Sequence, residues 1–452
     1  MTVPLQIHAN GNDYNDGLVY ELQPGFSFGT AAKTPEALRL EAGGGAVMPD
    51  AWEDAAWVLT WKVYGATGGQ VQDRIRALLA DFAPWTEVSV QLPAMPVAHV
   101  MFLTSLDAPS NFALQPALPG GLPFALFTLT GTRYGLWLDA GLHSPVLASD
   151  GTTPVTNIAV AFPGTVNCIA SKGTTYGFVT ATLTADSAPA AALALGFRPT
   201  PPSGYQPWQK YSGVSVAGAY GGVASKITTL VSSGFTKPPM AATEIDSVGY
   251  AGQVLALLRA CTDSTLAANP VFYQALVESH SSAFTSNPMD AVGDSVPAGQ
   301  YGSIFELAQL GVLPLPADLM PKAGGTFTSH VGVQAEGTLA SANAAWVDTV
   351  VWMPAALCEV VTAAFAANGY GFTVENLSPI ASQRRAYLSK FTSGVPVLGP
   401  TLSRTPYGSG LWCPNGTFAA VTMVDSRATT PCATGRLTLQ YRPLYCDLLG
   451  SS

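Results

Sequence analysis

Hydrophobic and polar positions alternate most clearly near residue 60 and again at the end of the chain. In Trp57-Val58-Leu59-Thr60-Trp61-Lys62-Val63-Tyr64, the residues Trp57, Leu59, Trp61 and Val63 share one face, the period of a half-buried strand. Gly65-Ala66-Thr67-Gly68-Gly69 breaks the pattern. From Gln70 to Ala83 the period changes, and Val71, Ile75, Leu78, Leu79 and Phe82 form one stripe of an α-helix that Pro84 stops. The stripe predicts a helix laid over a strongly bent sheet, with Ile75, Leu79 and Phe82 buried. Strand-like alternation resumes over 87–92 and 99–103. Near the C-terminus, Arg436 to Arg442 alternates with Leu437, Leu439 and Tyr441 inward and Pro443 as its end. A strand so close to the terminus is expected to close a sheet.

Between these landmarks the pattern predicts many short strands. Residues 109–123 read as a proline-rich loop, 124–138 as two strands around Gly131, and 141–155 as a turn-rich boundary. Phe162-Pro163-Gly164-Thr165-Val166 opens another β segment, 175–184 alternates weakly, and 199–207 reads as a Pro/Gly linker. Short apolar runs over 254–258, 271–277, 303–313, 326–333 and 346–352 suggest an antiparallel sandwich. Residues 359–367 fit helix or strand equally well.

Composition narrows the class. The 452 residues include 45 glycines and 35 prolines, too many breakers for a helical bundle. Apolar residues make up 48%, which excludes wholesale disorder. Charged residues make up 11%, against about 25% in ordinary soluble domains. So sparsely charged a surface is expected to be covered in part by partners. The net charge is −9, and Arg384-Arg385 is the nearest approach to a basic cluster, so no sequence-specific nucleic-acid binding is expected. The N-terminus lacks the pattern of a secretory signal. The best membrane-span candidate, 346–365, carries Asp348, Pro354 and Glu359, so no span is expected.

Candidate chemistry is thin. Cys168, Cys261, Cys358, Cys413, Cys432 and Cys446 contain no CxxC pair. They read as free buried thiols, with a bridge between Cys413 and Cys432 as the alternative. His8, His99, His143, His280 and His330 show no metal-ligand spacing and read as hydrogen-bonding residues. Gly25-Phe26-Ser27-Phe28-Gly29 spells GxSxG, but the prolines at 24 and 35 argue against a nucleophile elbow at Ser27. The glycine runs at 43–45 and 68–69 read as turns. Asn12-Asp13-Tyr14-Asn15-Asp16-Gly17 offers oxygens for calcium, or equally for a hairpin turn. Asp263, Glu278, Asp290 and Asp294 are the acids a glycoside hydrolase could use. Trp85, Trp137, Trp208, Trp346, Trp352 and Trp412 could stack on sugars, or fill cores and interfaces. None of these patterns designates a catalytic, cofactor-binding or metal residue, and neither an enzyme nor a cofactor is expected.

The strand WVLTWKVYG followed by the helix QVQDRIRALLADF resembles the N-terminal ring-forming domain of siphophage distal tail proteins. Phe162 to Val166, the run FELAQLGVLPLP at 305–316, WVDTVVWMP at 346–354 and GRLTLQYRP at 435–443 resemble longer tail proteins, of actinophage-like and thermophile type, that carry an inserted sandwich. The stretch 211–297 matches no part of that pattern. The resemblance implies a mainly β fold. It places a split-barrel-like ring domain with one packed helix at 1–150 and a galectin- or carbohydrate-binding-like β-sandwich region at 151–390. A C-terminal β segment at 391–452 would close one of the two. It implies a virion structural protein at the tail tip or baseplate, made in the host cytoplasm. Its partners would be copies of itself in a ring, expected to be a hexamer, the tail tube, other tail-tip proteins and host-surface glycan. The alternatives are a host-glycan-binding module and a tail-associated polysaccharide hydrolase.

Overall fold

The computed structural model describes residues 5–32, 52–93, 95, 97–108, 110–115, 121–170, 176–185, 192–198, 208–211, 213–229, 243–245, 253–262, 271–279, 291–292, 296–297, 305–314, 329–337, 339, 344–355, 358–362, 370–392, 395–401, 403–407, 412–413, 418–426, 434–446 and 448. The fold is mainly β. Among the described residues it has one α-helix and five sheets, every strand pair antiparallel, and no sheet closes into a barrel.

The N-terminal part runs β1 (Gln6–Ala9), β2 (Asn12–Asp13), β3 (Tyr20–Leu22), β4 (Ala55–Tyr64), α1 (Gly68–Asp81), β5 (Glu87–Gln91), β6 (His99–Phe102), β7 (Ser110–Gln115), β8 (Phe124–Arg133) and β9 (Trp137–Asp139). One sheet has the order β3-β4-β8-β7; the other strands begin a twelve-stranded sheet. The alternation of β4 is realised fully, with Trp57, Leu59, Trp61 and Val63 all 0% exposed. Thr67 caps α1 by accepting the Gln70 N–H at 3.2 Å, so the helix begins at Gly68 rather than Gln70. Val71, Ile75, Leu78 and Phe82 are buried. Each contributes about 1.5–3 kcal/mol by leaving water. The Phe82 ring meets Trp61 edge-on at 5.2 Å and Tyr14 at 5.4 Å. Leu79, expected inside, is only half-buried. Positions 71, 75, 78 and 82 define the centre of the stripe, and Leu79 lies one residue's rotation off it.

Two further expectations change. Gly131 does not separate two strands; β8 passes straight through it. The glycine is needed for close approach, because a methyl there would lie 2.2 Å from the Ser105 carbonyl oxygen. Gly131→Ala is therefore expected to cost about 1–3 kcal/mol, read as a lower melting temperature by circular dichroism. The proline-rich segment after residue 108 is not all loop: Ser110–Gln115 forms β7 on the edge of the four-stranded sheet.

The C-terminal strand Thr434–Tyr445 lies in the middle of the twelve-stranded sheet. One side pairs along its length with Tyr176–Ala185. The other pairs with Ile158–Ala161 at its start and with β9 at its end, where Leu444 faces Leu138 and Tyr445 faces Trp137. Leu437, Leu439 and Tyr441 are buried as the alternation predicts. Pro443 does not end the strand: it lacks only one donor, and residues on either side of it carry the pairing.

The remaining sheets stack. Phe178, Ala181, Leu183, Phe372, Leu437 and Leu439 of the twelve-stranded sheet share a core with Val166 and Cys168, both on the six-stranded sheet that contains Gly164–Ile169 and Cys358–Thr362. Cys358 and Val360 pack in turn on Leu255, Leu257, Val351 and Met353. The opposite face of that sheet, Val254, Ala256, Leu258 and Trp352, packs on Tyr273, Ala275, Val333 and Ala335 of a five-stranded sheet. Gln253–Thr262 is thus covered on both faces, which is why it reads as a continuous apolar run. The ambiguous segment after residue 358 is a strand, Cys358–Thr362. No helix among the described residues is long and apolar enough to cross a membrane.

Candidate functional site

A polar concavity lies where the N-terminal strands, the C-terminal strand and the hairpin around residue 380 meet. It encloses about 480 Å³. Glu87 stands on one wall as the first residue of β5, positioned by the turn that Pro84 forces after α1. Arg442 grips it with two parallel bonds, of 2.5 and 3.0 Å, and also donates from Nε to the Asp139 carbonyl at 2.7 Å. Glu375 ends Tyr370–Glu375 on the other wall, accepting from the Tyr387 hydroxyl at 3.1 Å, with Arg385 Nε 3.8 Å away. The loop between is self-bonded, Ile380 N–H donating to Ser378 Oγ at 3.1 Å and that hydroxyl pairing with Gln383 Oε1 at 2.6 Å. Phe102, largely buried, touches the cavity from below. The Glu87 side chain is 45% exposed and that of Glu375 36%, so both carboxylates stay hydrated. The arrangement suits hydrogen-bonded recognition of a polar ligand.

Arg133 and Arg259, the most deeply buried of the described cations, serve the fold. Arg133 donates to the carbonyls of Phe28, Gly29, Tyr134 and Gly135 at 2.7–3.0 Å and lies 4.4 Å over the Trp137 ring. Burial pushes its guanidinium down to about 10, still charged at neutral pH. In the stacked sheets, Asp348 is fully buried between Arg259, itself fully buried, and Lys210 at 2.6 Å. Arg259 also donates to the Gly218 carbonyl at 2.8 Å and lies 4.4 Å over the Tyr220 ring.

No protein-family model matches the chain, and no curated protein matches it in sequence. Among solved structures it is similar to the SPP1 Dit protein, described as a paradigm of the hub adsorption apparatus in phages infecting Gram-positive hosts. The TM-score is 0.20 and the identity 9%, over 77% of this chain and 99% of that one. It is similar to the phage p2 baseplate in its activated conformation, with a TM-score of 0.24 and 8% identity, over 97% of each chain. It is also similar to the infectious bursal disease virus VP2 subviral particle, with a TM-score of 0.20 and 10% identity, over 90% of this chain and 85% of that one. Likenesses this remote carry no argument.

The residues singled out in the sequence are dispersed. Ser27 is exposed at an isolated bridge to Val58, its Oγ accepts the Gly29 N–H at 3.1 Å, and residues 28–32 form no helix, so it is not on an elbow. The oxygens proposed for calcium are committed to turns. Asp16 accepts three backbone N–H groups, from Leu18, Val19 and Tyr20, and Asp13 accepts that of Asn15. Asn10, Asn12 and the Tyr14 hydroxyl all donate to Asp81 at the end of α1. Burial opposes ionisation of Asp81, but those three bonds outweigh it and hold the carboxyl below its ordinary 3.8.

His8 is half-buried on β1, and His99 is buried edge-on against Tyr445. His143 Nε2 lies 3.3 Å from Asp139 Oδ1. Cys168, Cys261 and Cys358 are buried thiols and Cys446 is half-buried. Asp263, Asp290, Asp294, His280 and Cys432 lie outside the described residues, as do the side chains of Glu278, His330, Trp412 and Cys413. Trp137, Trp346 and Trp352 are interior and Trp208 is half-buried; Trp85 alone among the described tryptophan candidates is exposed, at 55%. The pocket residues escaped sequence reading because Glu87 and Arg442 are 355 positions apart. Arg259 and Asp348 did leave a signal, as charges inside apolar strand patterns.

Proposed function

We propose that this chain is a virion structural protein of a long-tailed phage or related tail-like particle. As a distal-tail subunit it closes into a ring of about six copies, linking the tail tube to the host-adsorption apparatus, and its role is not enzymatic. The construction of the N-terminal unit supports this reading best. β4, α1 and β5 build one core, and the last strand of the chain returns to pair with β9. The described strands Ile158–Ala161 and Tyr176–Ala185 continue that same sheet, and the further sheets stack on it. A subunit of this plan can meet its neighbours through the N-terminal unit and hold the stacked sheets outside the ring. The sheet ends at β2, β3 and β7 suit strand addition by a neighbour. The low charge density suits a surface that becomes covered on assembly.

Light scattering with negative-stain imaging of the full chain tests the proposal. The expected result is a closed ring of about six copies with peripheral knobs. A monomer that also fails to assemble on tail-tube protein would overturn it.

A further inference from the structure

The geometry points to the junction pocket as a binding site for a neutral saccharide, with Trp85 as its stacking platform. Trp85 combines two costs that folding alone does not explain. Its backbone is left-handed, φ 70°, a conformation that bulky residues rarely adopt. Its indole is also 55% exposed, so burial does little to offset that strain. The conformation is held from both sides: the Trp85 N–H donates to the Leu103 carbonyl at 2.8 Å, and the Leu103 N–H to the Thr86 carbonyl at 2.9 Å. The Thr86 hydroxyl donates to the Ala83 carbonyl at 2.7 Å. The loop therefore presents a rigid aromatic surface at little entropic cost on binding.

Trp85 flanks the pocket rather than lining it: Glu87, two residues on, stands in the cavity wall, as does the largely buried Phe102, whose ring is 6.4 Å from that of Trp85. The cavity, about 480 Å³, is of small-ligand size. Its walls choose the ligand class. Glu87 and Glu375 are balanced by Arg442 and Arg385, so an anion meets carboxylates and a cation meets guanidiniums. A purely apolar ligand would strip water from all four. A neutral polyhydroxyl ring satisfies the set. Its hydroxyls donate to carboxylate oxygens and accept from guanidinium N–H groups, Ser382 and Gln383 add further polar partners, and its C–H face lies on the indole. The inference does not depend on ring formation, because every wall comes from one chain.

The test uses the full-length protein on an array of neutral and acidic oligosaccharides, with titration calorimetry of the best neutral ligand. Wild type is expected to retain a neutral saccharide. Trp85→Ala is expected to weaken it at least about tenfold, the scale of one lost stacking contact. Ser382→Tyr, which fills the cavity from an exposed position, is expected to abolish it. Leu18→Ala, at an exposed site that does not line the pocket, should bind as wild type, and unchanged far-UV dichroism shows that each variant folds. Three results would each overturn the proposal: no retained saccharide, retention of acidic saccharides only, or binding untouched by both pocket variants. Since the array reads binding at any oligomeric state, its failure is separate from failure of the ring proposal.

Discussion

Replacing Asp348 by leucine is expected to destabilise the stacked sheets by about 3–5 kcal/mol, the cost of removing one partner of a buried ion pair. Asp348 lies on Ala345–Pro354, fully buried, with Arg259 on the neighbouring strand Gln253–Thr262 and Lys210 on Trp208–Lys210. Its carboxylate also accepts the Tyr220 N–H at 3.1 Å. Removal leaves the interior guanidinium of Arg259 without its carboxylate between the Tyr220 and Phe305 rings. Arg259→Leu should cost less, because Lys210 stays 2.6 Å from Asp348 and part of its side chain reaches solvent. The double variant Asp348→Leu/Arg259→Leu should be more stable than Asp348→Leu alone, since the interior cation that lost its carboxylate is removed with it. Urea unfolding followed by tryptophan fluorescence reads all three. Additive losses would show that the pair is not coupled.

A second large effect is expected from Leu78→Asp. Leu78 is 0% exposed at the centre of the α1 stripe, within the core that holds Trp57, Trp61 and Phe82. Deleting a buried leucine costs about 2–5 kcal/mol, and a carboxylate in its place puts a charge into that apolar core. The N-terminal unit should fail to fold and no ring should form. Leu79→Asp is the matched comparison. Leu79 is half-buried at the edge of the stripe, where a carboxylate can turn toward water, so that variant should fold and assemble with a modest loss. Particle yield by light scattering and melting temperature separate the two. Equal behaviour of the variants would mean that α1 is not packed as described.

These contrasts mark how far pattern alone reaches. Alternation placed Trp57, Leu59, Trp61 and Val63 inside, and likewise Leu437, Leu439 and Tyr441, because side chains on a strand alternate between faces and only one face was apolar. A helical stripe located α1 but not its centre line, since Leu78 and Leu79 look alike until a sheet is laid on one of them. Gly131 looked like a break because its reason for being glycine, the Ser105 carbonyl, comes from a segment about 26 residues away that periodicity does not see.

Legible in the sequence were the mainly β class, helix α1 and the inward faces of the best-patterned strands. Those follow from local periodicity and from proline and glycine punctuation. Tertiary structure decided the rest. It set the C-terminal strand between Tyr176–Ala185 and β9 rather than at a sheet edge. It brought Glu87 to Arg442 and Glu375 to Arg385 around one cavity, and it left Trp85 outside while Trp137, Trp346 and Trp352 went in. The physical reason is range: alternation and helical stripes are properties of neighbouring residues, whereas a pocket, a buried ion pair and the exposure of an indole depend on which distant strands share a sheet.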